Sequence, residues 1–198
     1  MSAVITSITG LQNLPNLVTF NADYNGLSAV NLSNLSNLQY VDVSDNNVPG
    51  SSINSLTSVN LSGSTSVVEL RLDDSEFSGG IPNVSGLTSL QLIDLDQCSI
   101  PGILDFSGLP AITNIDVFGN AGLTSVIISS AQLIIYFGGS GCGLTETAVD
   151  DILVALDDNG EANGTVFLDG GTNAIPSATG LAAVTNLQGK GWTVIVNS

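Results

Sequence analysis

The sequence predicts an α/β solenoid with a parallel concave sheet, a mostly irregular convex side and helix-bearing C-terminal coils. Three observations lead there. First, one apolar frame recurs in register: Leu14, Leu17, Phe20, Ala22; Leu35, Leu38, Val41, Val43; Val67, Leu70, Leu72; Leu87, Leu90, Ile93, Leu95; Leu109, Ile112, Ile115, Val117. A unit of this kind cannot bury its apolar face alone and must stack on its neighbours. Second, the segments between frames are short and rich in Ser, Gly, Asn and Pro, which leaves no room for a three-turn helix. Third, the spacing of apolar residues changes beyond residue 143 to that of amphipathic helices.

In chain order, residues 1–10 supply Val4, Ile5 and Ile8 for an N-terminal edge. Residues 11–143 carry the frames, with strands expected at 20–22, 41–43, 70–72, 93–95, 115–117 and 135–137. The third frame departs at Ser64, and an inserted loop is expected after Asn46. Period-2 alternation sends Val41 and Val43 inward, and Tyr40, Asp42 and Ser44 outward. Cys98 occupies the inward place held by Asn46 and Asn120 in other frames, so a buried thiol is expected, unbridged to the distant Cys142. Residues 144–198 read as capping coils of the same domain. Thr145 caps a helix whose apolar face is Val149, Ile152, Leu153 and Leu156. A strand at Thr165–Leu168, a helix opened by Pro176 and a closing strand at Trp192–Val196 follow.

Composition narrows the functions. The 198 residues hold 18 acids, 2 bases and no histidine, for a formal net charge of −16, yet 43% are apolar. That is not the pattern of a disordered acidic chain. With so few cations, neither nucleic acid nor an anionic membrane surface is an expected partner. No signal peptide and no long apolar run is read, so no membrane insertion is expected.

Without histidine, imidazole-based triads and zinc sites are excluded. Asp94 and Asp116 are the carboxylate pair to inspect for hydrolysis, but acids adjoin by chance in so acidic a chain, and no enzyme activity is expected. No cofactor is expected either. Asp157, Asn159, Glu161 and Asn163 alternate as calcium ligands do, but Ala162 stands where such a loop needs glycine. The acidic ladder Asp42, Asp73, Asp94 and Asp96 is read as a solvated surface in preference to a divalent-ion site. Arg71, between Asp42 and Asp94, is expected to neutralise its neighbours.

The outward positions of the second half gather Asn114, Asp116, Phe118, Ile134, Tyr136, Phe167 and Ile195, the expected binding surface. The frames LPNLVTFNADYN, LSNLQYVDVSDN, LTSLQLIDLDQC and LPAITNIDVFGN resemble the leucine-rich repeat superfamily over residues 7–140. The tail from LTETAVDDILVALDDNG to GWTVIVNS resembles the C-terminal end of leucine-rich repeat proteins of bacteriophages and aquatic bacteria, which are tied to tails and fibres. The resemblance implies a non-catalytic structural or host-recognition role in a virion, binding a protein or a host-surface glycan through the concave sheet. The alternative is a bacterial protein-interaction module in the cytoplasm or at the cell surface. The same apolar cluster would also suit a homo-oligomer.

Overall fold

The computed structural model describes residues 4–46 and 56–198; the insertion expected after Asn46 lies outside the described residues. In chain order the strands are β1 (Thr19–Asn21), β2 (Ala29–Asn31), β3 (Tyr40–Asp42), β4 (Ser58–Asn60), β5 (Glu69–Arg71), β6 (Leu92–Asp94), β7 (Gly102–Asp105), β8 (Asn114–Asp116), β9 (Leu123–Ile127) and β10 (Tyr136–Gly138). Then come helix α1 (Glu146–Asp158), β11 (Thr165–Leu168), helix α2 (Ala178–Gly189) and β12 (Thr193–Val196).

These strands form three separate parallel sheets. The large one has eight strands in the order β1-β3-β5-β6-β8-β10-β11-β12, while β2 pairs β4 and β7 pairs β9. The expected architecture, a leucine-rich repeat solenoid with one concave sheet and an irregular convex side, is corrected by this mixed α/β arrangement with its crossover strand order and two helices. The physical reason lies in the returns. Val30 and Val59 are buried centres of extended triplets whose flanking residues are exposed, and they pair with each other. Leu104 and Val126 do the same between β7 and β9. Extended segments with one buried side chain satisfy their backbone groups in ladders, not in irregular turns.

In the large sheet, Thr19, Tyr40, Glu69, Leu92 and Asn114 stand side by side in register. The next strand pairs two residues later than expected. Ile134 is fully buried while Leu133 and Ile135 are exposed, and it is Phe137 that pairs with Ile115, leaving Gly138 opposite Asp116.

Below the turns that leave this sheet, a column of buried polar side chains ties each passage of the chain to the last. Asn46 Nδ2 donates to the carbonyls of Ala22 and Val43, and its Oδ1 accepts from Leu27 N–H. Asn120 bridges Leu95 and Val117 in the same way and accepts from Cys98 and Ile100. The thiols of Cys98 and Cys142 donate to Leu72 and Val117 carbonyls at 3.2 and 3.1 Å. Both cysteines are buried and unbridged. Burial pushes the Cys142 thiol up to about 11, and the Cys98 thiol higher still.

The two helices close the C-terminal end of a single contiguous apolar core. Thr145 caps α1 by accepting from Ala148 N–H, and the expected apolar residues Val149, Ile152, Leu153 and Leu156 are buried. α2 starts at Ser177, whose hydroxyl donates to Asp150 of α1. Gly180 allows the approach, since a Cβ there would fall 2.2 Å from Asp150 Oδ1. Trp192, the sole tryptophan, lies with its ring over Gly164 and donates its indole N–H to the Glu161 carbonyl at 2.9 Å.

Candidate metal centre

The exits of β1, β3, β5, β6, β8 and β10 turn through residues with positive φ: Tyr24, Asp45, Asp74, Gln97, Gly119 and Gly141. Aspartate tolerates the left-handed region better than most residues, because its short side chain bonds locally. The turns stack through their backbones: Asp45 N–H donates to Asp73 O at 3.1 Å, and Asp74 N–H to Asp96 O at 2.8 Å. Stacking brings together residues far apart in sequence. One ligand oxygen each from Asp45, Asp73 and Asp74 lies within 4.8 Å of the others, all three residues being half-buried.

The electrostatics of this cluster are unfavourable as they stand. Burial, with the charges of Asp94, Asp45 and Asp42 added, raises Asp73 to about 6. Burial and Asp45 raise Asp74 as well. The chain's two cations are engaged elsewhere: Arg71 with Glu69 and Asp94 at 2.6 and 3.4 Å, and Lys190 with Asp157 at 2.7 Å. The Tyr24 hydroxyl hydrogen-bonds Asp45, which raises the tyrosine.

Two expectations are corrected here. The absence of a cofactor does not stand against a carboxylate cluster able to chelate a divalent ion. Nor does the expectation that the chain is no enzyme, since Asp45, Asp73 and Asp74 could hold an ion that would polarise a bound oxygen or lower the pKa of bound water. The acidic ladder contributed one member, Asp73. Asp45 and Asp74 escaped sequence reasoning, although both stand two residues after the inward Val43 and Leu72 of neighbouring frames, a shared offset that could have found them.

The other predicted residues are distributed as follows. Asp42 Oδ1 accepts from Ser44 Oγ at 2.7 Å. Asp94, Asn114, Asp116, Tyr136 and Arg71 line an open cavity of about 210 Å³ on the large sheet. There Tyr136 Oη donates to Asp116 Oδ2 at 2.7 Å; beyond the cavity, Phe118 N–H donates to Asp96 Oδ1 at 3.0 Å. Burial, followed by the hydrogen bond and charge of Asp116, raises Asp96 to about 8. Gly138 makes the room: a Cβ there would lie 2.3 Å from Asp116 Oδ1. Tyr136 and Phe167 meet edge to face at 6.4 Å. Phe118 and Ile195 are exposed, whereas Ile134 belongs to the core and not to the surface. Asp157 and Asn159 of the alternating acidic turn are held by Lys190 and by the Ile134 carbonyl.

Fold and site together define a parallel-sheet α/β protein with a half-buried cluster of hard oxygen ligands. No family model and no curated protein matches the chain. The three-sheet topology overturns the leucine-rich repeat reading, and with it the virion-linked and bacterial binding functions that were drawn from a single concave sheet. Among the described residues, no helix is long and apolar enough to cross a membrane.

Proposed function

We propose that this protein binds a divalent cation, Ca²⁺ above all, between the turns that follow β3 and β5. The observation that carries the reading is three carboxylate oxygens within 4.8 Å of one another in a chain whose two cations are paired elsewhere. Oxygens on opposite sides of a calcium ion stand about 5 Å apart, so the cluster spans one ion without rearrangement. Purely carboxylate ligands suit a hard cation and not zinc or copper. Three protein ligands leave the other positions to water, which points to a dissociation constant of about 10⁻⁴ M. The ion would offset the burial and the neighbouring charges that raise Asp73, and would clamp two stacked turns to each other. Nucleic acid is not among the partners this surface supports, because 18 acids against 2 bases cannot displace the counterions of a phosphate backbone.

Calorimetric titration of EDTA-treated protein with CaCl₂ tests the proposal, alongside MgCl₂ and an NaCl control of equal ionic strength. Wild type should bind one Ca²⁺ and gain about 2.7 kcal/mol at a hundredfold excess over Kd. The double substitution Asp45→Asn, Asp73→Asn should lose both the binding heat and the stabilisation. A calcium response retained in that variant, or reproduced in full by NaCl, would overturn it.

A further inference from the structure

The ends of the large sheet differ from everything between them in charge and in burial. All 18 acids fall between Asp23 and Asp169; neither the residues before Asp23 nor those after Asp169 contain one. Both edge strands, β1 and β12, lie in these acid-free ends, and among the described residues no strand pairs with the outer side of either. Natural edges are commonly protected by lysine, proline or a bulge, and β12, reading Thr-Val-Ile-Val, has none of these.

Core positions at these ends are left partly unburied. Leu14, the counterpart of Leu35 in the frame, is 49% exposed where Leu35 is fully buried. At the other end Val194 and Val196 are half-buried, whereas their β11 partners Val166 and Leu168 are fully buried. Leu14 at one end and Val194 and Val196 at the other thus present apolar surface that the inner frames bury, although Phe20 of β1 and the adjoining Ala22 are themselves buried, and both edge strands are free of charged side chains.

We infer that the β12 end of one copy docks on the β1 end of another, continuing the parallel sheet from chain to chain. A second copy is the occupant that fits. Its opposite end offers a strand of the same direction, and neither β1 nor β12 carries an acid to repel a second copy of a chain of net charge −16. Such a contact is heterologous and does not close on itself, so the product is an open row of copies. The acids lie only a strand or two away, at about 5 Å per strand, so their repulsion is felt in dilute salt and screened at higher ionic strength. Added NaCl should therefore strengthen the association, which is independent of the cation site and is measured in EDTA.

Sedimentation velocity from micromolar to millimolar protein tests this, with Leu14→Lys blocking one end and Ile195→Lys the other. Wild type should grow steadily with concentration, and more so with salt. Each variant alone should stay monomeric, while an equal mixture should stop at two copies, because each supplies one open end. Monomeric wild type throughout would overturn the proposal. So would self-association of Leu14→Lys alone, which would mean β12 pairing with β12, or a mixture that remains monomeric. Should either lysine unfold the chain, amide exchange in wild type decides: the Val194–Val196 amides should gain protection on concentration, and unchanged exchange would overturn the inference.

Discussion

Two acidic groups lie along neighbouring strands and the turns that leave them, and are neutralised differently. Asp94, Asp96 and Asp116 are served from within the chain: by Arg71 at 3.4 Å, by Phe118 N–H at 3.0 Å and by Tyr136 Oη at 2.7 Å. Asp45, Asp73 and Asp74 have the Tyr24 hydroxyl beside Asp45, and neither of the chain's cations. Asp157 marks the opposite extreme. Burial alone would raise it, but hydrogen bonds from Lys190 and Asn186 outweigh that and hold it below the usual carboxylate range. Acid density is therefore a poor guide to a cation site in such a chain. Charge left uncompensated by the protein is the better one.

Removing the internal cation should erase the difference between the two groups. Arg71→Met leaves Glu69 and Asp94 unpaired and should cost about 1 kcal/mol in EDTA, a modest figure because the pair is partly solvated. It should also create a second calcium-binding event in titration; an unchanged single event would break the comparison.

A smaller effect is expected from pH. Asp73 and Asp96 have folded values of about 6 and about 8, above the ordinary 3.8. The folded chain therefore holds their protons more tightly than the unfolded one. The resulting stability is fully present below about pH 4 and is lost as pH rises through 6 and then 8. Discounted for exposure, it amounts to about 1 kcal/mol or less. Melting of the cation-free protein at pH 5 and pH 8 should show the loss, and saturating Ca²⁺ should remove the Asp73 part while leaving the Asp96 part.

The smallest change is Tyr136→Phe, which deletes the donor to Asp116 and should cost about 0.5 kcal/mol. Calcium affinity at Asp45, Asp73 and Asp74 should not move. If it falls, the two groups act as one network.

Strand positions were legible because a buried apolar residue between less buried neighbours recurs at matching offsets, as at Val41, Leu70, Ile93 and Ile115. Register failed after Leu133, where Ile134 and Ile135 compete for the interior and two glycines, Gly138 and Gly139, follow with no side chain to decide between them. The two small sheets were hidden for another reason. Triplets such as Ala29–Asn31 carry a single buried residue, too weak a pattern to distinguish a ladder from an irregular return. The metal centre was least legible of all. Its geometry depends on left-handed turn residues in neighbouring frames; the hydrophobic pattern gives the shared offset of Asp45 and Asp74 after Val43 and Leu72, but not that the stacked turns bring Asp73 to them.

Trp192, seated over Gly164 at the last turn, makes this chain's fluorescence a local probe. Its emission follows the fit of α2 and β12 against the end of the core, and is blind to the opening of turns near β1 or β5. Circular dichroism, by contrast, averages over every strand and both helices. A tryptophan transition that precedes the dichroic one would locate the first cooperative unit to open at the C-terminal end, and coincident curves would mean that the end melts only when the whole stack does.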